Sequence, residues 1–353
     1  MIPRSCAPVF VLCLILTAAQ ATATPSDSFL SDEYINHINS IQSSWTAGRN
    51  FEDSPEAMEM IKSLLGELPM EDNSSSHPPL KTADPAWPSD AEIPATFDAR
   101  SKWKDWCPRI ADIWDQSNCG SCWAVASSSA VTDRFCIGSK GKFKGLMSAQ
   151  HVAFCCYKCG AGCKGGFSAL AWEFFMKKGL VTGGGYNSSE GCQPYDLQPC
   201  QHWEQKNKSP YPKCTDLPYP VTFCEKKCTN KGYRSSFKED KRKIKKYYAI
   251  RDPKDIQKDL MTYGPLSMTF VVYADFPSYK KGVYDRTTDE HLGMHAVKVI
   301  GWGTEKNTPY WLISNSWNEY WGDKGTFKIL RGGNHCEIEN GVYGGVPRER
   351  EKW

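Results

Sequence analysis

A pair of cysteines separated by two residues is the first feature of this chain that could do chemistry. Cys119 and Cys122 lie in the sequence Cys-Gly-Ser-Cys-Trp at residues 119–123. A pair at this spacing is a redox couple, half of a zinc site, or two cysteines with separate roles. Cys156 and Cys159 could complete a zinc site, but so many cysteines favour disulfides, and no predicted strand precedes Cys119 as a thioredoxin-like site requires. We therefore favour Cys122 as a nucleophile.

The position of Cys122 in a predicted helix supports this interpretation. The helix is predicted over Cys122–Phe135, with Cys122 in its first turn. Unpaired backbone N–H groups and the helix dipole stabilise a thiolate there, and the thiolate is the attacking form of cysteine. The small or apolar residues on nearby faces of this helix are Trp123, Ala126, Ala130 and Val131.

A nucleophilic cysteine needs a general base, and His295 is the best placed histidine. It opens a predicted strand, His295–Gly303, from which a side chain can be aimed across a cleft. The next predicted strand ends at Asn315 and Trp317, which could orient the imidazole and cover that hydrogen bond; a core role is the alternative for either alone. The histidines after residue 93 are His151, His202, His291, His295 and His335.

The elements that must position these residues change character along the chain. From Cys107 to about Lys245 the sequence is rich in cysteine and glycine, whereas from Ala249 onward it contains one cysteine and short β-like runs. We expect a helical, disulfide-stapled subdomain and a β-rich one. The run Lys238–Lys246 is expected to be a solvated surface segment. The predicted strands are Pro265–Tyr273, His295–Gly303, Tyr310–Trp317 and Gly325–Arg331.

The first residues predict export. Arg4 precedes an apolar stretch, Ala7–Ala19, and small residues at 21–23 provide a cleavage site, so residues 1–23 are expected to be a signal peptide. Later stretches fall short of the roughly 20 apolar residues of a transmembrane helix. We therefore expect no membrane span and an oxidising compartment in which cysteines pair.

Charge divides the 353 residues into an acidic head and a basic body. Residues 1–92 carry 4 Lys and Arg against 13 Asp and Glu, whereas residues 93–353 carry 39 against 27. The head contains a predicted amphipathic helix, Asp32–Ile41, and then a Ser- and Pro-rich stretch, Asn73–Ala91. This organisation predicts a removable pro-segment held by the basic body; a flexible arm is the alternative. Nucleic-acid binding is disfavoured because acids are scattered among the basic residues.

Together these features resemble the papain-like cysteine peptidases, of the cathepsin B type. In that family the histidine and asparagine follow the cysteine by about 130–150 residues, but His295 and Asn315 follow Cys122 by 173 and 193 residues. The excess indicates an insertion, and Cys192–Cys228 resembles an occluding loop. The resemblance also covers residues 45–51, 93–100, 162–166 and 335–339.

The resemblance implies an α+β, papain-like fold of two domains with the active-site cleft between them. A helical, disulfide-rich left domain would span about 107–245, with the occluding-loop-like insertion at 192–228. A β-barrel-like right domain would comprise about 93–106 and 246–345. Residues 24–92 would be the pro-segment and 93–353 the mature peptidase.

The resemblance also implies a mechanism. An ion-pair-like couple of Cys122 and His295 would hydrolyse peptide bonds as a cysteine endopeptidase made as an inactive zymogen. Asn315 would hold the imidazole. The Gln116 side chain and the Cys122 backbone N–H would form the oxyanion hole, although an ordinary loop glutamine is the alternative for Gln116.

Six disulfides and two free cysteines follow from the same resemblance. Cys122 and Cys336 would stay free. Sequons at Asn73, Asn187 and Asn207 permit glycosylation. The implied pairs are Cys107–Cys136, Cys119–Cys163, Cys155–Cys224, Cys156–Cys159, Cys192–Cys228 and Cys200–Cys214.

Departures from the family bear on specificity. In the occluding loop, His202 would pair with Asp115, a contact sensitive to pH. The position that binds a substrate's C-terminal carboxylate is Trp203, which predicts weak dipeptidyl carboxypeptidase activity.

Met294 replaces a glycine and Lys164 an asparagine near the cleft. Glu339 matches an acid at the base of the S2 pocket, which implies that arginine as well as aromatic residues are accepted there. The expected substrate-binding residues are Gly165, Gly166, Phe167, Met294, Ala296, Trp317 and Glu339.

Partners follow from the expected activity. We expect polypeptide substrates, the chain's own pro-segment as an intramolecular inhibitor, and cystatin-like protein inhibitors. No cofactor, metal, nucleic acid or oligomeric partner is expected. A lysosomal or endosomal compartment and an extracellular digestive lumen both fit, and acid would weaken the attraction between pro-segment and body. The alternative from another class is a catalytically impaired secreted binding protein on the same fold.

Overall fold

Most longer helices begin at a polar residue that caps them. The computed structural model describes residues 28–71, 77–202, 209–220 and 222–348. Ser31 and Ser54 accept hydrogen bonds from backbone N–H groups three residues later, as N-caps do. Asp252 does the same for the last helix. The helices are α1 Asp32–Ile41, α2 Pro55–Leu64, α3 Ala99–Lys102, α4 Cys122–Gly138, α5 Ala149–Cys155, α6 Ser168–Lys177, α7 Phe237–Asp240 and α8 Pro253–Tyr263.

The strands form one large sheet and a short hairpin-like pair. In the large sheet the order is β1-β7-β10-β9-β8-β6-β11-β5, with β2 paired to β8, and β3 pairs with β4 separately. The pairing of β7 with β10 is parallel. The strands are β1 Trp45–Ala47, β2 Phe97–Asp98, β3 Leu146–Met147, β4 Thr182–Gly183, β5 Ile244–Ile250, β6 Leu266–Tyr273, β7 Tyr279–Tyr284, β8 His291–Glu305, β9 Thr308–Ser314, β10 Thr326–Leu330 and β11 Gly341–Pro347.

The four predicted strands correspond to β6, β8, β9 and β10, with bounds that differ by a few residues. β8 is longer than predicted because β6 pairs with it as far as His291, so His295 lies inside the strand. The other seven described strands, β1–β5, β7 and β11, had no predicted counterpart. The lysine-rich run contains most of α7 and the start of β5, and within it Asp240 and Ile244 are buried.

The central helix α4 is buried along almost its whole length. Its aromatic residues Trp123 and Phe135 pack with Trp172 of α6 in the core of the helical half. Its charged residues pair with neighbouring elements: Asp133 accepts from Lys298 of β8 at 2.9 Å, and Arg134 donates to an α8 carboxylate at 2.6 Å. These contacts hold the C-terminal half of α4 against β8 and α8, and at the other end of the helix Cys122 packs against Ala296 of β8, the residue next to His295.

The helical half is stapled by disulfides. Cys122 and Cys336 are the free cysteines among the described residues, and both are buried. Because Cys119, Cys156 and Cys159 are bonded to other cysteines, they cannot serve as zinc ligands. The disulfides join Cys107–Cys136, Cys119–Cys163, Cys155–Cys224, Cys156–Cys159, Cys192–Cys228 and Cys200–Cys214, the pairs that the resemblance implies.

The N-terminal segment packs along the sheet and then enters the cleft. α1 has the predicted bounds, and β1 adds an antiparallel edge strand to β7. α2 was not predicted, although Ser54-Pro55 is a helix start signal and Ala57, Ile61 and Leu64 recur at helical spacing. Within the described residues no helix has the length and apolarity needed to cross a membrane.

Charge complementarity holds parts of this segment to the body. Glu52 accepts from Lys213 at 2.9 Å, and Asp90 contacts Lys258 at 2.6 Å. In one pair the charges are reversed, since the basic Lys81 of the N-terminal segment contacts the acidic Asp259 of α8 at 2.7 Å. The acidic head is therefore docked by specific ion pairs, in which it contributes the acid or the base, as well as by its net charge.

Candidate active site

Cys122, His295 and Asn315 lie at the junction of the helical half and the sheet. Cys122 opens α4, and its side chain packs with Ala126 and Ala296. His295 lies in β8 opposite Phe270 of β6. Asn315 follows β9 directly, and its Oδ1 lies 2.8 Å from His295 Nε2. The asparagine therefore fixes one imidazole nitrogen.

Trp317 covers the contact between His295 and Asn315. Its ring centroid lies 4.8 Å from that of the imidazole, at an interplanar angle of 31°. All three side chains are buried. The other imidazole nitrogen, Nδ1, has no hydrogen-bond partner among the described residues, so it remains able to exchange a proton.

The Gln116 side-chain amide lies near the start of α4, where its Nε2 donates to the backbone oxygen of Cys119 at 2.7 Å. Its Oε1 accepts from Ser316 Oγ at 2.7 Å, which fixes the amide orientation. Its Nε2 then donates to the backbone oxygen of Leu64, at the end of α2, at 2.9 Å. Gln116 Nε2 thus acts as the donor that an oxyanion hole requires, and the Leu64 carbonyl oxygen occupies the place of the accepting oxygen.

Residues 64–68 of the N-terminal segment fill the cleft over Cys122. The Gly166 N–H donates to Gly66 O at 2.9 Å, and the Leu68 N–H donates to Gly166 O at 2.8 Å. On the other side, the Glu67 N–H donates to Met294 O at 3.2 Å. The segment is therefore bound as an extended strand between the two walls of the cleft.

Two glycines permit this close approach. A Cβ on Gly66 would lie 1.8 Å from the carbonyl oxygen of Gly120, and one on Gly166 would lie 2.5 Å from the Trp123 ring. Real Cβ atoms do not approach backbone so closely, so residue 66 has to be glycine for the segment to lie on Gly120. Gly165 has φ +99°, a conformation that favours glycine.

Burial keeps the catalytic candidates neutral in this form. It raises the pKa of the Cys122 thiol to about 12, with the nearby Glu67 carboxyl as the next cause. Burial also lowers the pKa of His295 to about 4, although the Asn315 contact opposes this. A neutral thiol beside a neutral imidazole is not an activated nucleophile. The active site is therefore inactive while residues 64–68 fill the cleft.

The expected contact between His202 and Asp115 is absent, which corrects the prediction. The Phe51 ring lies 5.0 Å from the His202 ring, and His202 Nε2 has no hydrogen-bond partner in the described part of the chain. The Asp115 carboxylate is occupied by other donors, including Asn318 Nδ2 at 3.0 Å and the Cys200 N–H at 3.2 Å. Trp203 lies outside the described residues.

The Glu339 carboxylate accepts hydrogen bonds from its own surroundings. Its Oε1 accepts from Trp311 Nε1 at 2.9 Å and from the Gly332 N–H at 2.6 Å, while its Oε2 accepts from the Asn334 N–H at 2.7 Å. These bonds close the loop after β10. The three bonds fix the orientation of the carboxylate, and the role of Glu339 in S2 stays a prediction.

The remaining predicted residues differ in exposure. Phe167 precedes α6 and is half-buried, whereas Lys164 and the sequon residue Asn187 are exposed. Asn73 and Asn207 lie outside the described residues, as does the predicted signal peptide. The structure adds two residues that the sequence did not single out, Glu67 and Ser168, whose side chains bond to each other inside the cleft.

Known proteins are similar to this chain in sequence and fold. A family model described as papain family cysteine protease matches residues 93–346, and a model of the peptidase family C1 propeptide matches residues 30–71. Among solved structures, proCathepsin B S9 from Trypanosoma congolense superposes with a TM-score of 0.76 at 32% identity, covering 92% of this chain and 100% of that one.

Curated relatives are named cathepsin B-like cysteine proteinases. Cathepsin B-like cysteine proteinase 4 of Caenorhabditis elegans is 48% identical over 257 residues, which are 72% of this chain and 76% of that protein. The cathepsin B-like cysteine proteinase of Schistosoma japonicum is 42% identical over 319 residues, 90% of this chain and 91% of that protein. This chain therefore belongs to the papain family of cysteine proteases and is a cathepsin B-like cysteine proteinase, made as a zymogen with its propeptide.

Proposed function

We propose that Cys122 is the nucleophile of this protease and His295 its acid–base partner. The Cys122 thiolate attacks the scissile carbonyl, and the oxyanion is bound by Gln116 Nε2 and the Cys122 backbone N–H. The His295 imidazolium gives its proton to the leaving amine and then takes one from the water that hydrolyses the thioester. Asn315 orients the ring. The observation that carries this proposal is the Leu64 carbonyl bound to Gln116 Nε2 at 2.9 Å.

A comparison of the two free cysteines tests the proposal. Cleavage of a blocked Phe-Arg fluorogenic peptide by the processed enzyme should be abolished by Cys122→Ala and retained by Cys336→Ala, which removes the other buried thiol. Activity that survived Cys122→Ala would refute the assignment. The alternative of a catalytically impaired binding protein has no observation in its favour.

We further propose that residues 24–92 inhibit the enzyme and are removed on maturation, which leaves residues 93–353. The backbone of residues 64–68 occupies the place of a peptide substrate, and ion pairs from Glu52 and Asp90 help to hold the segment. The predicted signal peptide, the disulfides and the zymogen form support the secretory pathway, with an acidic lysosome-like compartment or a digestive lumen as destination. Cystatin-like inhibitors would compete for the same cleft.

The pH response of the docked segment depends on opposing groups. Burial raises the pKa of Glu67 from 4.5 to about 8. The favourable contribution of Glu67 to the free energy of docking is therefore fully present below pH 4.5 and is lost as the pH rises through 8. Burial lowers the pKa of His202 to about 3, so its contribution is present above pH 6.5 and is lost in acid. Glu67 thus opposes release at low pH, whereas His202 favours it.

A Glu67→Gln zymogen should separate these effects. The amide keeps an acceptor for Ser168 and cannot ionise, so docking should no longer weaken near neutral pH. We expect Cys122 to react with a thiol reagent about tenfold more slowly in the variant than in the wild type at pH 7.5, and at an equal rate at pH 4. A ratio of rates that did not change with pH would contradict the role given to Glu67.

The occluding-loop prediction concerns exopeptidase activity. We propose that Trp203 cannot bind the substrate's C-terminal carboxylate, because indole carries no positive charge. Trp203→His should then raise the release of C-terminal dipeptides about tenfold, the value of a charged hydrogen bond, with cleavage of blocked peptides unchanged; Trp203→Ala is the matched control. A wild-type enzyme that already removes dipeptides as efficiently as it cuts blocked peptides would rule this out.

A further inference from the structure

The Glu67 carboxyl is held in the cleft by one residue of the protease, Ser168. Ser168 Oγ donates to Glu67 Oε2 at 2.6 Å. The Ser168 backbone N–H points at both oxygens, at 3.1 and 3.3 Å. Glu67 is 5% exposed and Ser168 is fully buried. An acidic side chain is thus bound in a closed pocket next to Cys122.

The local sequence makes Ser168 a donor that needs an acceptor. It is the first residue of α6, a helix of ten residues, so its N–H has no acceptor within the helix. The preceding residue, Phe167, has a side chain that cannot cap it. Among the described residues the partner of both Ser168 donors is the Glu67 carboxyl. When the pro-segment leaves, two buried donors lose their acceptor.

The backbone register shows which substrate residue would reach this pocket. Gly66 lies on Gly120 beside Cys122, and the next residue, Glu67, pairs with Gly166 and Met294. A substrate strand bound between the same walls has one residue at Cys122. The residue next to it in the substrate then lies opposite Gly166. That residue is P2, the second before the cleaved bond, and its side chain enters the pocket at Ser168.

We propose that Ser168 makes this pocket selective for a P2 side chain with a terminal hydrogen-bond acceptor, glutamate or glutamine. The inference rests on the proposed function, since it concerns the same cleft. It goes beyond the tolerance of arginine and aromatic residues that the sequence suggested, because Ser168 offers two donors here, whereas Glu339 accepts from three donors of its own surroundings. A buried donor left unpaired disfavours side chains without an acceptor. The pro-segment itself displays the preferred group.

The test uses the processed enzyme and blocked X-Arg coumarylamide peptides, with X as Glu, Gln, Leu or Arg. Ser168→Pro removes both the N–H and the hydroxyl, whereas Ser168→Ala removes the hydroxyl alone. Proline fits the first position of a helix, and Phe167 has φ −123° and ψ 115°, an extended conformation that proline tolerates in its neighbour. Cleavage of Leu-Arg reports whether each variant is folded.

We expect kcat/KM of the wild type for Gln-Arg and Glu-Arg to exceed that for Arg-Arg and to lie within tenfold of that for Leu-Arg. Ser168→Pro should lower the Gln-to-Leu and Glu-to-Leu ratios at least tenfold, and Ser168→Ala by a smaller factor. Ratios unchanged in both variants, with Leu-Arg still cleaved, would overturn the inference alone. A wild-type enzyme that cleaves none of the four peptides would overturn the proposed function as well.

Discussion

A Gly66→Ala zymogen should expose Cys122 without any cleavage of the chain. The added Cβ would lie 1.8 Å from the Gly120 carbonyl oxygen and 2.4 Å from its carbon, both of them backbone atoms. The pro-segment must therefore move off Gly120, which breaks the bonds of Gly66 and Glu67 to the cleft walls. Overpacking of this kind typically costs 1–3 kcal/mol, so we expect Cys122 in the intact zymogen to react with an epoxysuccinyl inhibitor roughly ten- to a hundredfold faster.

Gly48→Ala is the matched control in the same segment. A Cβ at Gly48 would meet the Lys280 side chain, at 2.9 Å from its Cγ, and that flexible side chain can move. Its labelling rate should equal that of the wild type. If Gly66→Ala left the rate unchanged while mass spectrometry showed an intact chain, the pro-segment would not be what blocks Cys122.

Replacement of Gln116 should produce the second large effect, on the processed enzyme. Gln116→Glu keeps the shape of the side chain but replaces the amide donor by an oxygen at the position where Leu64 O now lies. Loss of one oxyanion donor typically lowers the rate about 10²–10³-fold. We expect kcat for a blocked Phe-Arg peptide to fall by that factor with a small change in KM, because the donor acts in the transition state.

Ser316→Ala provides a graded comparison. The Ser316 hydroxyl donates to Gln116 Oε1 at 2.7 Å and orients the amide without touching the carbonyl. Its removal should lower kcat less than Gln116→Glu does. A Gln116→Glu enzyme with the kcat of the wild type would remove Gln116 from the oxyanion hole.

The sequence predicted best the features that depend on nearby residues. The start of α4 at Cys122 and the bounds of α1 follow from local patterns of apolar spacing and capping. The bond between His295 and Asn315 joins β8 to the residue that follows β9, and Cys122 packs against Ala296 beside it; these residues were expected together because the motifs resemble a family whose fold places them so.

Predictions of particular side-chain contacts were less reliable. The Glu339 carboxylate bonds to the loop at Gly332 and Asn334, and no sequence pattern indicates which way that loop turns. The pair of Glu67 and Ser168 joins residues 101 apart in a contact that requires the pro-segment to lie in the cleft. α2 could have been predicted from its serine–proline start and its apolar spacing.

The most direct test of the account is to locate the residue that an epoxysuccinyl inhibitor modifies. The processed enzyme should gain one inhibitor mass, on the peptide that contains Cys122, and the zymogen should react far more slowly. His295→Ala should abolish the modification, because the thiol then lacks the base that ionises it. Modification at Cys336, or labelling of Cys122 at the wild-type rate without His295, would contradict the assignment of the catalytic pair.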